Sequence, residues 1–318
     1  MHVDPALRAF ASDEARMAAA QDRVRRAGEC WRARADVAAV LADCATWAAG
    51  APLAGCAALT GLLQLDRARA FADGVLTAMA EAWRADPLAQ LPFRHSASGG
   101  IDALQLYRVD GVSLSLVAMQ PSVPAPVRSI TFTDCERYEI VLAGTGRAIA
   151  FYDEGGGPPR EKVFLLSPGR SFSGDVRHSR AVVQLDAPLV LLRLAKEPEH
   201  PQPTREVDIA TGSVLHRASA SPADSRIELA AAVLGAMGRS DAAQPLAAYA
   251  CGQAGEGARW QALRNALAID TATGFAALCR IAGQTDDPVR PDAQALLHSL
   301  CTAYPQLAKL REGLCQAS

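Results

Sequence analysis

The chain has 318 residues, half of them apolar and 21% charged, with aromatics at only 5%. Its 32 basic and 34 acidic side chains give a net charge of −2, which leaves no basic footprint for non-specific nucleic-acid binding. The scarcity of aromatics argues against a surface built for stacking bases or sugars, and the length supports about two or three domains with cores of their own.

No stretch approaches the run of about 18 apolar residues that a membrane helix needs. The amino terminus MHVDPALRAFASDEARM carries early charges and no signal-peptide apolar core. A cytoplasmic location is therefore expected. The eight cysteines, from Cys30 to Cys315, include no CxxC pair. Most fall on apolar faces of expected helices, so they read as small buried hydrophobes rather than zinc ligands or disulfides.

Residues 1–90 read as a helical region. Val37, Val40, Leu41, Cys44 and Trp47 recur at three- and four-residue steps, as do Phe71, Val75, Met79 and Trp83, with Pro87 closing the second helix. Gly50-Ala51-Pro52 separates the two stripes, and the tryptophans are expected as core anchors. The texture changes near Pro92, and residues 91–220 read as all-β. LQLYRV, GVSLSLVAM, SITFT, YEIVLAG, GRAIAFYD, EKVFLLS, AVVQLD, PLVLLRL, EVDIA and SVLHRA are the expected strands. Turn-like breaks such as Gly144-Thr145-Gly146 and Ser167-Pro168-Gly169 divide them, and no crossover helix intervenes, which indicates a sandwich or barrel. Gly155-Gly156-Gly157-Pro158-Pro159 lacks the ending of a phosphate-binding loop and reads as a hairpin loop. There is no G-x-S-x-G elbow for a hydrolase nucleophile. KEPEHPQPT, 196–204, reads as a linker or a long loop.

Residues 221–318 return to a helical period. Aligning Val233, Leu263 and Leu296, with Met237, Leu267 and Leu300 four positions later, gives a repeat of about thirty residues whose helices are expected to stack. Arg259, Trp260 and Arg264 on one helix read either as a docking patch or as a core tryptophan covered by arginines. The fold class expected from all this is multidomain α+β: amino-terminal helices, a central all-β barrel and a carboxy-terminal helical array.

Two resemblances sharpen the reading. Val141-Leu142-Ala143-Gly144 and Pro168-Gly169-Arg170-Ser171 resemble the two motif turns of the cupin superfamily, the RmlC-like small barrels. Asp287-Pro288-Val289-Arg290 followed by Asp292-Ala293 resembles the turn and helix start of HEAT-type repeats. The cupin resemblance implies a metal site of two histidines, a glutamate and a further histidine. On that alignment Thr131 and Thr133 stand where the first two histidines would be, Glu136 takes the carboxylate position and Phe172 replaces the last histidine. Neutral threonine is a poor ligand and phenylalanine offers no lone pair, so no metal cofactor is expected at that site.

Without the metal, a barrel mouth remains, where Thr131, Thr133, Glu136, Tyr138, Arg147, Phe172 and His178 are the candidate ligand-binding residues. Binding of a small molecule in the barrel, or of a protein partner on the helical array, is expected in place of catalysis, and homodimerisation follows by analogy with cupins. Neither nucleic acid nor membrane is an expected partner. Two enzymatic alternatives stand beside this. A divergent metal-dependent dioxygenase or isomerase would hold a divalent transition metal such as iron with His178, Glu136 and either His95 or His216. A metal-free epimerase-type cupin needs a His–Asp or Tyr acid/base pair inside the barrel, with Tyr138 or Tyr152 as part of it.

Overall fold

The computed structural model describes residues 5, 13–86, 89–122, 126–199, 201–219, 221–307 and 310. Pro87, His200 and Cys315 lie outside them. Among the described residues, no helix is long and apolar enough to cross a membrane. Contacts divide the chain into two compact units, Met1–His200 with Val207–Ser213, and Pro201–Glu206 with Val214–Ser318.

In the first unit, helix α1 (Glu14–Ala33) starts where the Asp13 side chain accepts the Arg16 N–H. It buries Ala20, Val24, Gly28 and Trp31 along one stripe. Helix α2 (Ala35–Ala48) buries Val37, Val40, Cys44 and Trp47, as its periodicity predicts. Asp43 accepts the Ala58 and Leu59 N–H groups and so caps the short α3 (Ala57–Gly61). Helix α4 (Leu65–Ala85) buries Phe71, Val75 and Met79, but the stripe ends on Ala82, and Trp83 is 46% exposed. The reason is phase. Ala82 lies about three whole turns after Phe71, whereas Trp83 has rotated past the buried face.

Among the described residues the strands that follow are β1 (Arg94–Ser98), β2 (Ile101–Val109), β3 (Val112–Met119), β4 (Ser129–Phe132), β5 (Glu136–Ala143), β6 (Gly146–Tyr152), β7 (Arg160–Leu166), β8 (Ser171–Gly174), β9 (His178–Leu185), β10 (Leu189–Lys196), β11 (Thr204–Asp208) and β12 (Val214–Ala218). The boundary between the units falls within β11. One sheet has the order β1-β2-β3-β10-β5-β8 and another β7-β6-β9. Pairing in both is antiparallel. This is compatible with a cupin-like barrel.

The six-stranded sheet is buried on both faces, which is why its central strands read as nearly continuous apolar runs. Val112, Leu114, Leu116, Ile140, Leu142, Leu192 and Leu194 share one core with α1, α2 and α4. On the opposite face, Val117, Met119, Val141, Leu189 and Leu191 pack with Ala148 and Leu166 of the second sheet. Polar links reinforce the helical side. Arg69 of α4 donates twice to the Leu142 carbonyl, and Lys196 Nζ donates to the Trp47 carbonyl at 2.7 Å. Ile130, Phe132, Phe151 and Val207 form a smaller core.

Gly144, after β5, has φ +91°, and a Cβ there would overlap the Pro188 carbonyl oxygen. Gly144→Ala is expected to destabilise the protein by about 1–3 kcal/mol through backbone strain. A lower urea midpoint at unchanged slope is the check.

The second unit contains α5 (Pro222–Ala236), α6 (Ala243–Ala250), α7 (Glu256–Ile269), α8 (Thr271–Gly283) and α9 (Arg290–Ala303). Ser221 caps α5 and Asp270 caps α8. Ala262, Leu263, Ala266, Phe275, Leu278, Ile281 and Leu297 lie in their shared core. Helix α9 does begin just after Asp287-Pro288-Val289, but the thirty-residue equivalence does not extend to burial. Leu263 is fully buried while its expected counterpart Val233 is 48% exposed, and Met237, the expected counterpart of Leu267, is 62% exposed. A HEAT-type array is therefore not shown. Arg259, expected on a surface, is only 3% exposed. It donates to the Ala250 carbonyl and forms an ion pair with Asp287. Trp260 and Arg264 instead line an open apolar groove with Leu267, Leu300 and Leu307.

Candidate functional site

Strand alternation decides which side chains reach the inside of the first unit. On β5, Ile140, Leu142 and Tyr138 belong to the helix-facing core, whereas Val141 belongs to the core between the sheets. Arg137 and Glu139 share the phase of Val141. They open onto a cavity of about 240 Å³ whose walls include Thr133, Lys162, Arg170, Phe172, His178 and Arg180.

One wall carries part of a buried charge cluster. Arg193 sits opposite Glu139 on β10 and donates Nε to Oε1 at 2.6 Å, and Arg180 of β9 meets Oε2 at 2.7 Å. Burial alone pushes the Glu139 carboxyl up, but Arg180, Arg193 and Arg137 outweigh it and hold the group below its ordinary value. Burial also lowers Arg180, against the pull of Glu139; a guanidinium starts so high that it stays charged regardless. Arg180 lies over the Phe172 ring at 4.7 Å, and Phe172 in turn meets Phe164 at 5.0 Å. The Arg180 Nη1 group is buried without a hydrogen-bond partner.

At the cavity wall, His178 Nδ1 and Asp175 Oδ1 lie 2.6 Å apart. The turn between β8 and β9 builds this pair, since Asp175 also accepts the Arg177 N–H and gives its carbonyl to the His178 N–H. Burial raises the Asp175 carboxyl, and the bonds from Arg177 and His178 bring it below its usual range. The Tyr152 ring stands edge-on to His178 at 5.0 Å, with the Arg160 guanidinium 4.2 Å from its ring centre. Cys135 also lines the cavity, but burial pushes its thiol up, which disfavours thiolate chemistry.

The residues expected from sequence are dispersed. Thr133, Phe172 and His178 line the cavity. Thr131 uses its carbonyl to accept the Ser179 hydroxyl, and its side chain is exposed. Glu136 and Tyr138 have the other phase of β5, where Tyr138 donates to Glu136 at 2.6 Å and packs against Trp47. Burial, with Glu136 beside it, pushes the Tyr138 phenol up to about 12, out of range for acid/base work near neutrality. Arg147 is exposed and bonds to Gln184. His95 lies on β1, 3.4 Å from Asp102, and His216 lies on β12 of the second unit.

The alternative metal set of His95, Glu136 and His178 is therefore not brought together. Among the described residues, no group of three or more His, Cys, Asp or Glu is placed to hold a metal. The donor chemistry also opposes one, because Glu139 is committed to two arginines and the cavity wall carries four cationic side chains. The residues present do not fit a cupin-type metal centre.

Sequence reasoning missed Glu139, Arg180, Arg193 and Asp175. The usable signal was strand phase. Counting back from the V-L-x-G turn selected Glu136, whereas alternation from buried Val141 selects Glu139.

No protein-family model matches the chain, and no curated protein matches it. Among solved structures it is similar to that of the DMSP lyases RdDddP and RnDddQII, with 14% identity over 40% of this chain and 69% of the other, at a TM-score of 0.27. The capsular polysaccharide assembling protein CapF from Staphylococcus aureus gives 13% identity over 40% of this chain and 34% of that one, at 0.28. Lactobacillus farciminis oxalate decarboxylase gives 13% identity over 33% and 31%, at 0.27. The chain thus spans about a third of the length of the last two. Likeness at this level assigns no activity.

Proposed function

We propose that the first unit is a cupin-like binding module that takes a small polar molecule into its barrel without a metal. The observation that carries this is the cavity beside Glu139 and Arg180, where a barrel of this size would otherwise be filled by apolar side chains. A buried carboxylate clamped by two arginines contributes little net stability compared with a well-packed apolar core. Its retention at a cavity wall fits recognition better than packing. The proposal concerns the first unit alone.

The test is a thermal-shift screen of small neutral and charged metabolites against the wild-type protein and a Gly174→Trp variant. Gly174 pairs with Arg137 on the cavity-facing side of β8, and a Cβ there makes only ordinary contact with His178, at 3.5 Å, so a tryptophan blocks the space without entering a packed core. The expected result is one or more ligands that raise the wild-type melting temperature and have no effect on the variant. Ligands that stabilise both proteins equally would place binding elsewhere, and a screen without any hit would contradict the proposal.

A second reading is favoured by the His178–Asp175 pair. In it the bound molecule undergoes metal-free proton transfer, with His178 as base, Asp175 holding its ring and Tyr152 as the opposing acid. His178→Asn is then expected to abolish turnover while leaving ligand affinity within about threefold, about 0.6 kcal/mol. Loss of binding along with turnover would assign His178 to recognition instead.

A further inference from the structure

We infer that the occupant of this cavity is a small organic dianion, a phosphate monoester or a dicarboxylate, seated against Arg180 and Arg137 with its body along Phe172. The inference rests on the proposed binding function and adds the charge and size of the ligand.

Charge comes first. The cavity is lined by Arg137, Lys162, Arg170 and Arg180 against only two carboxylates, Glu139 and Asp175. Two cationic charges are therefore uncompensated in the lining, and the balance is more positive still because Glu139 is shared with Arg193 from outside it. Asp175 is likewise engaged by His178. Among the described residues, neither Lys162 nor Arg170 has an ion-pair partner. An excess of like charge around a half-open space repels itself, most strongly at the largely buried Arg180 and less at the exposed Lys162 and Arg170. A dianion cancels it, while a monoanion leaves one charge over.

Hydrogen bonding points the same way. The buried Arg180 Nη1 donor has no acceptor, and such groups are rare because an unmet buried donor is costly. Carboxylate and phosphate oxygens are the acceptors that guanidinium groups suit best. Size fits as well. At about 240 Å³ the space falls below the roughly 300–1,000 Å³ of drug-sized pockets, which suits a small metabolite or the anionic end of one.

The experiment is calorimetric titration of the full chain, at mildly alkaline pH and constant ionic strength, with inorganic phosphate, malonate, acetate and the neutral hits of the ligand screen. One of the two dianions is expected to bind at one site per chain, at least tenfold more tightly than acetate. Phosphate over malonate identifies a phosphate ligand, and the reverse identifies a dicarboxylate. Arg180→Met is expected to weaken the preferred dianion at least tenfold. Should that variant fail to fold, the double variant Lys162→Gln/Arg170→Gln, which changes two exposed side chains, is expected to weaken it by a similar factor. Acetate binding as tightly as either dianion, or affinity unmoved in the foldable variants, would overturn the inference. Neutral molecules binding in the cavity while every anion fails would also overturn it and leave the proposed binding function standing. No binding by any probe would remove both.

Discussion

Glu139→Ala is expected to destabilise the protein by about 3–5 kcal/mol, the range for breaking a buried ion pair by removing one partner. The carboxylate is 4% exposed and holds Arg180 and Arg193 at 2.7 and 2.6 Å, with Arg137 close by. Without it three guanidinium groups face one another with no carboxylate between them. A lowered urea midpoint at unchanged slope is the expected observation. The same variant creates an empty anion position, so added acetate should restore part of the loss. Glu139→Gln should lose less, because its amide oxygen still accepts from Arg193.

The pH dependence has a definite sign. The folded carboxyl lies below its ordinary value of 4.5. Its contribution is therefore fully present above that value and is lost as pH falls through the lower, folded pKa. Wild-type and Glu139→Gln stabilities should accordingly converge on acidification below 4.5 and stay apart at neutral pH. Equal separation at all pH values would show that charge is not what Glu139 contributes.

Trp47→Ala is the second large effect, also about 3–5 kcal/mol, as for other buried aromatic truncations. Trp47 is fully buried on α2, stands edge-on to Tyr138 of β5 at 6.1 Å, and carries Lys196 of β10 over its ring at 5.6 Å. Its loss therefore opens a cavity between the helices and the six-stranded sheet. Trp83→Ala, by contrast, should cost no more than about 1 kcal/mol, because that residue is nearly half exposed. The same geometry predicts that removing residues 1–90 leaves an insoluble barrel. Val112, Leu114, Leu116, Ile140, Leu142, Leu192 and Leu194 would all lose their cover. A soluble, cooperatively unfolding fragment from residue 91 onward would contradict this account of the helices.

Much of this architecture was legible in the sequence because burial imposes period. The stripes through Val37, Val40, Cys44 and Trp47, and through Phe71, Val75 and Met79, are the buried faces of α2 and α4. The expected β segments correspond to β2–β7 and β9–β12, each rich in branched or aromatic residues. Strands β1, Arg-His-Ser-Ala-Ser, and β8, Ser-Phe-Ser-Gly, escaped because they are polar and short and acquire their pairing from neighbours.

Other features depended on distance in space, which periodicity does not carry. Glu139 looks no different from Glu136 until the phase of β5 is fixed by what packs on each side. Arg180 and Arg193 become its partners only when β9 and β10 are brought to it. The Asp175–His178 pair was local enough to be read from spacing, but a turn with three residue steps is a common capping arrangement and singles itself out only by lining the cavity. In the second unit, a shared hydrophobic spacing did not imply shared burial, since Val233 and Leu263 sit on helices with different neighbours.

The central claim is that the barrel cavity is built for a small polar ligand and not for a metal ion. Elemental analysis of the protein, purified without chelator or a histidine tag, tests it most directly. The account predicts transition metal far below one equivalent per chain. Near-stoichiometric iron, manganese or zinc, lost on His178→Ala, would contradict it and return the cavity to metal-dependent chemistry.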